Sequence, residues 1–169
     1  MPDTTYIVTA LRNELELAGL IRRSTTAGPG VPAGPPPALI EPAGGAPGPG
    51  DRFDERANTD TETAGELVVT LRLSGDLAEG PFDSYRRRTV IDVIYRSSST
   101  TGLKAGRALD AAIRARLVER PDYGFGFTIG GPTPLFVLQA SIFGGIGPVS
   151  DEDGVRTELA KYALEVLAN

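Results

Sequence analysis

Between Asp3 and Leu20 the apolar residues Ile7, Leu11, Leu15 and Ala18 recur at helical spacing. Asp3 or Thr4 can cap this helix, and Gly19 stands near its end. The period then changes. ELVVTLRLSG, residues 66–75, has the Val and Leu density of a strand, and the turn residues GDLAEGP follow it. RRTVIDVIYRSS, residues 87–98, alternates, with Val90, Asp92, Ile94 and Arg96 on one side and Thr89, Ile91, Val93 and Tyr95 on the other. It reads as a strand with one better-buried face, paired antiparallel to the preceding one. From Gly102 to Glu119 an alanine-rich run carries Leu103, Leu109, Ile113 and Leu117 near helical spacing and stops before Pro121, which predicts a second helix. FGFTIGG (125–131) and LFVLQASIFGG (135–145) are two further strand candidates, the latter ending in the glycine-rich residues 144–147. The order helix, strands, helix, strands predicts an α+β fold with two helices packed on one face of a mostly antiparallel sheet.

Residues 24–65 obey neither period. Of the 23 residues from Gly28 to Gly50, 15 are Gly or Pro, so no regular element persists there except a short island, ALIE, at 38–41. The reading is a semi-rigid extended arm that leads into and out of one extended segment, ahead of a polar loop at 51–65. A polyproline ligand for an SH3-type domain is the weaker alternative. With 169 residues the chain forms one domain, 1–169, that includes this arm.

Composition narrows the function. A net charge of −5 argues against a general nucleic-acid binder. The absence of both Cys and His removes disulfides, thiolate or imidazole metal sites and histidine-based triads. The N-terminus lacks the basic and apolar regions of a signal peptide, and no run approaches the roughly 18 apolar residues of a membrane span, so an aqueous, cytoplasmic setting is expected.

Few groups are left to do chemistry. FGGIGPVS is followed by an acidic turn, where a phosphate cradle needs a helix N-terminus and usually a lysine. Arg86, Arg87 and Arg88 can touch DNA or a partner's carboxylates, but three basic residues at a strand start more often guard a sheet edge or meet solvent. Asp151 with Asp153 forms a carboxylate pair, but it lies in a surface turn and the chain has no Trp to platform a sugar. Arg107, Arg114 and Arg116 read as a solvated helix face, and residues 97–101 as a linker and helix cap. DEDGVRTE fails as a calcium loop because its glycine stands fourth and Glu158 eighth, where an EF-hand needs sixth and twelfth. Asp153-Gly154 suits a tight turn instead. No enzyme, metal or cofactor is expected.

The succession of ELAGLIR (16–22), PPPALIEPAGG (35–45), SYRRRTVIDVIYRS (84–97), KAGRALDAAIRARLV (104–118) and LQASIFGGIGPVSDEDGVRTELAKYALEV (138–166) resembles the tail terminator proteins of long-tailed, siphovirus-like bacteriophages, particularly those of actinobacterial hosts. The likeness is one of layout along nearly the whole chain. It implies a virion subunit, assembled in the host cytoplasm, that forms a hexameric ring at the head-proximal end of the tail. Such a ring caps the tail tube protein, meets a head-side connector protein and lets DNA pass without sequence-specific binding. Another neck ring protein, a stopper or adaptor, is the nearest alternative, and a small binding module using the proline-rich arm is the next. The candidate contact residues for neighbouring subunits or partners are Leu39, Ile40, Glu41, Arg86, Arg87, Arg88, Asp151, Glu152 and Asp153.

The last segment holds a conflict. Leu159, Tyr162, Ala163, Val166 and Leu167 fall on one helical face, and their neighbours are good helix formers. The resemblance instead implies a strand over 155–167 that returns antiparallel to LFVLQASIF. The strand is the expectation taken forward, since tertiary pairing overrides local propensity.

Overall fold

The computed structural model describes residues 5–24, 37–40, 67–78, 86–97, 99–120, 126–132, 134–152 and 154–167. Along the chain come α1 (Thr5–Leu17), β1 (Arg22–Ser24), β2 (Ala38–Ile40), β3 (Val68–Ala78), β4 (Arg86–Ser97), α2 (Thr100–Leu117), β5 (Phe127–Ile129), β6 (Leu135–Glu152) and β7 (Val155–Leu167). The strands form one sheet in the order β1-β2-β3-β4-β7-β6-β5. β1, β2 and β3 run parallel, and every other pairing is antiparallel. The architecture is the expected α+β one.

Both helices lie on one face of the sheet. Ile91, Val93 and Tyr95 of β4 and Ala160, Tyr162, Leu164 and Val166 of β7 join one apolar cluster with Ile7, Leu11 and Leu15 of α1 and Leu109, Ile113 and Leu117 of α2. Each buried Val, Leu or Ile among them contributes roughly 1.5–3 kcal/mol. α2 starts where Ser99 Oγ accepts the Gly102 N–H at 2.9 Å, so the serine run does supply the cap. It can approach β4 closely because Gly106 has no side chain: a Cβ there would stand 3.3 Å from Leu67 and 3.4 Å from Tyr95.

Three expectations need correction. β4 lies between β3 and β7, and all its residues from Thr89 to Ser97 are buried, so it has no single better-buried face. Its arginines therefore do not guard a sheet edge. β3 does not stop at Gly75: after a bulge between Leu73 and Gly75 it pairs onward to Ala78, because β4 offers Arg87 to Val90 as partners. β6 likewise runs through the glycines to Glu152, following β7 with four irregularities in register.

The disputed segment is a strand. β7 pairs with β4 along twelve residues and with β6 on its other side, so its backbone groups are satisfied laterally. Tyr162, Leu164 and Val166 enter the helix-side core while Ala163 is buried on the opposite face, a two-sided burial that suits an interior strand. Glu152 pairs with Val155, and Gly154 between them has φ of 78°, which answers the turn expected at 153–154. Nothing lies within 4 Å of a Cβ placed on Gly154. Gly154→Ala is therefore expected to cost only the left-handed backbone penalty, about 1–2 kcal/mol, and Gly154→Asn less. Equilibrium urea unfolding of the two variants checks this.

Candidate subunit-contact surface

The long β6–β7 hairpin carries five of the six exposed large apolar side chains among the described residues, spread along its length, and Leu17 of α1 is the sixth. Ile142, Phe143 and Val149 of β6 are 41%, 56% and 57% exposed, and Leu167 at the end of β7 is 40% exposed. Exposed apolar residues mark contact surfaces where they join into one patch, whereas single ones are ordinary.

Arg86, Arg87 and Arg88 open β4 beside this strand pair. Arg86 is exposed and donates from Nη1 to Glu165 Oε1 at 3.5 Å, too long and exposed to add much stability. Arg88 is half-buried, and its guanidinium carbon sits 5.8 Å from the centre of the Phe143 ring. With Gln139, Ser141, Ala163 and Glu165 it lines a polar cavity of about 280 Å³.

Asp151 is at the other end of the ladder. Arg86 pairs with Leu167 whereas Ser97 pairs with Arg156, so the arginines and the acidic turn are separated by most of the length of β4, roughly 35 Å at the usual rise per residue. The fold does not bring them together. Asp151 Oδ2 accepts from Arg156 Nε at 3.1 Å, and both side chains are exposed. Arg156, Asp151, Val149, Glu158, Arg107 and Leu103 border an open cavity of about 520 Å³ between the start of α2 and the hairpin. Glu152 ends β6, while Glu41 and Asp153 lie outside the described residues. Leu39 and Ile40 belong to β2, which is flanked by β1 and β3, so this part of the arm is sewn into the chain's own sheet.

Sequence reasoning missed the buried charges. Asp92 is fully buried and accepts from Arg72 at 2.6 Å and Lys161 at 2.8 Å, the three residues forming one row across β3, β4 and β7. Burial alone would raise its carboxyl, but hydrogen bonds from Lys161, Arg72 and Ser74 outweigh that and hold it below the usual carboxylate range. On the helix side, Asp110 accepts from Tyr95 Oη at 3.0 Å and Tyr162 Oη at 2.7 Å. Burial, reinforced by the Asp110 charge, pushes both phenols up and keeps them protonated. The arginines of α2 are solvated yet also anchored: Arg107 to Glu158, Arg114 to Asp110 and Arg116 to Glu14. Glu14 in addition accepts the Gly130 N–H at 3.2 Å, which ties α1 to the end of β5. An aspartate inside the run VIDVI was the one available signal, since a strand interior tolerates a charge only when it is paired.

No protein-family model matches this chain, and no curated protein matches it. Among the described residues no three acidic side chains are grouped so as to hold a metal ion. Each buried acid pairs with groups on another element: Glu14 with Arg116, Asp92 with Arg72 and Lys161, Asp110 with Tyr95 and Tyr162, and Glu158 with Arg107.

Proposed function

We propose that this chain is a tail terminator subunit, which assembles into a ring that caps the tail tube and presents a surface to the head-side connector. The observation that carries the proposal is the β6–β7 hairpin, which displays Ile142, Phe143 and Val149, together with Phe136 and Leu167, to solvent. Within a closed ring Ile142, Phe143 and Val149 meet a neighbour, since among the described residues the part of β6 that carries them pairs only with β7, which is itself held against β4. The α+β layout agrees with what the resemblance implies. A net charge of −5 suits a passage through which DNA slides without gripping.

Negative-stain microscopy of the purified protein with tail tubes is the test. Rings of about six subunits seated on tube ends are expected, following the closed symmetry of ring assemblies. A protein that stays monomeric at high concentration and leaves tubes uncapped overturns the proposal, and retention on DNA-filled heads instead assigns a stopper. In the double variant Phe143→Asp with Val149→Asp, self-association should weaken on the order of tenfold or more, about 1.4 kcal/mol per decade, with thermal unfolding little changed because both side chains are exposed.

A further inference from the structure

Seen across the strands, one row of residues crosses almost the whole sheet: Arg22, Ala38, Val68, Arg96, Thr157 and Ser150 pair in turn. At this end of the sheet the two margins are therefore β1 and the far part of β6. β5 covers β6 only as far as Val137, and among the described residues no strand lies outside β6 beyond it or outside β1. From Leu138 to Ser150 that margin carries no charged residue. A long uncharged edge with exposed Ile142, Phe143 and Val149 is the kind that sheet proteins either guard or use for pairing.

The two margins complement one another in direction and in charge. β1 is parallel to β3, and β6 runs opposite to both, since β4, β7 and β6 alternate. A second copy in the same orientation thus offers its β1 antiparallel to β6, with no reversal of the molecule. β1 contains Arg22 and Arg23, and β6 ends in Asp151 and Glu152. With Arg22 level with Ser150, a slide of two residues along the strands between copies, about 7 Å, sets Arg22 opposite Glu152 and Arg23 opposite Asp151. The exposed Asp151–Arg156 pair contributes little by itself and can be exchanged for a partner across the junction.

We infer that the β6 margin of one copy adds to the β1 margin of a second copy, with Asp151 and Glu152 facing Arg22 and Arg23, so that one sheet continues from subunit to subunit. Such a contact joins two different surfaces and repeats head to tail, the arrangement that closes into a ring. It rests on the ring reading above and names the surfaces involved.

Charge reversal tests it. Arg22→Glu with Arg23→Glu, and separately Asp151→Lys with Glu152→Lys, are compared with the native protein by mass photometry and sedimentation, with circular dichroism and thermal melting as folding controls. Each variant alone should associate at least about tenfold more weakly, because like charges then face each other, and an equimolar mixture of the two should restore assemblies of native size. Native-like assembly of either variant alone overturns the inference, as does failure of the mixture to assemble. If a reversal prevents folding, the neutral Asp151→Asn with Glu152→Gln variant replaces it. Its assembly should be weaker and lose salt dependence, and an unaltered salt dependence overturns the inference. A native protein that caps tubes while the variants contradict the pairing leaves the proposed function standing. A native protein that neither associates nor caps tubes overturns both.

Discussion

Replacing Asp92 with alanine is expected to lower stability by about 3 kcal/mol, one of the two largest effects predicted for a single residue in this chain. The carboxylate is fully buried between Arg72 and Lys161, and removing it leaves two cations facing each other across β4. Losing one partner of a buried ion pair costs about 3–5 kcal/mol. The lower end applies here because the side chains of Arg72 and Lys161 retain 21% and 35% exposure, so water takes up part of the loss. Urea unfolding of Asp92→Ala at neutral pH measures it, and a loss under 1 kcal/mol would show that the row is not a clamp. The effect also has a pH signature. Because the folded carboxyl is held below its ordinary 3.8, its stabilisation is complete above that value and is lost as pH falls through the lower folded value. The stability gap between the native protein and Asp92→Asn should therefore be constant near neutrality and shrink only in that acid window.

The second large effect is at Asp110, on the opposite face. Its carboxylate accepts from two buried phenols, one on β4 and one on β7, and so pins α2 across the strands beneath it. Asp110→Ala leaves Tyr95 without its carboxylate acceptor and Tyr162 with only the longer bond to the Asp110 carbonyl, at 3.2 Å. With each unsatisfied buried hydroxyl costing about 1–3 kcal/mol, a loss of about 3–4 kcal/mol is expected. The triple variant Asp110→Leu, Tyr95→Phe, Tyr162→Phe should recover most of it, since no buried hydroxyl is then unpaired and the partly exposed Arg114, which loses its 3.5 Å contact with Asp110, can turn to water. Calorimetric unfolding of the single and triple variants is the measurement. If the triple variant is no more stable than Asp110→Ala, the loss comes from packing and not from orphaned hydroxyls.

These clamps mark where sequence reasoning stops. The hydrophobic period of α1 and α2, the alternation of β4 and the glycine at the final turn are local properties, and each was legible from residues a few positions apart. Even the side assignments in β4 were correct, with Asp92 and Arg96 opposite Ile91 and Tyr95. What could not be read was that both sides are covered, because burial of a central strand depends on neighbours from distant parts of the chain. The same holds for the candidate contact residues. Arg86 to Arg88 and Asp151 are both acceptable surface groups in sequence, but only the register of β4 with β7 shows that they stand at opposite ends of one ladder. Leu39 and Ile40 read as a short extended segment within the arm, and that segment is β2, but its place between β1 and β3 was not legible.

The closing segment shows the division most clearly. By itself the sequence from Val155 to Leu167 determined an amphipathic, alanine- and leucine-rich stretch after a glycine turn, a pattern that a helix satisfies as well as a strand. Likewise it determined two helices, several strands and a chain without thiol or imidazole chemistry. Only the tertiary structure decided that this segment is β7. Hydrogen bonds to β4 on one side and β6 on the other, and burial of Tyr162 and Ala163 on opposite faces, outweigh a helix propensity worth a few tenths of a kcal/mol per residue.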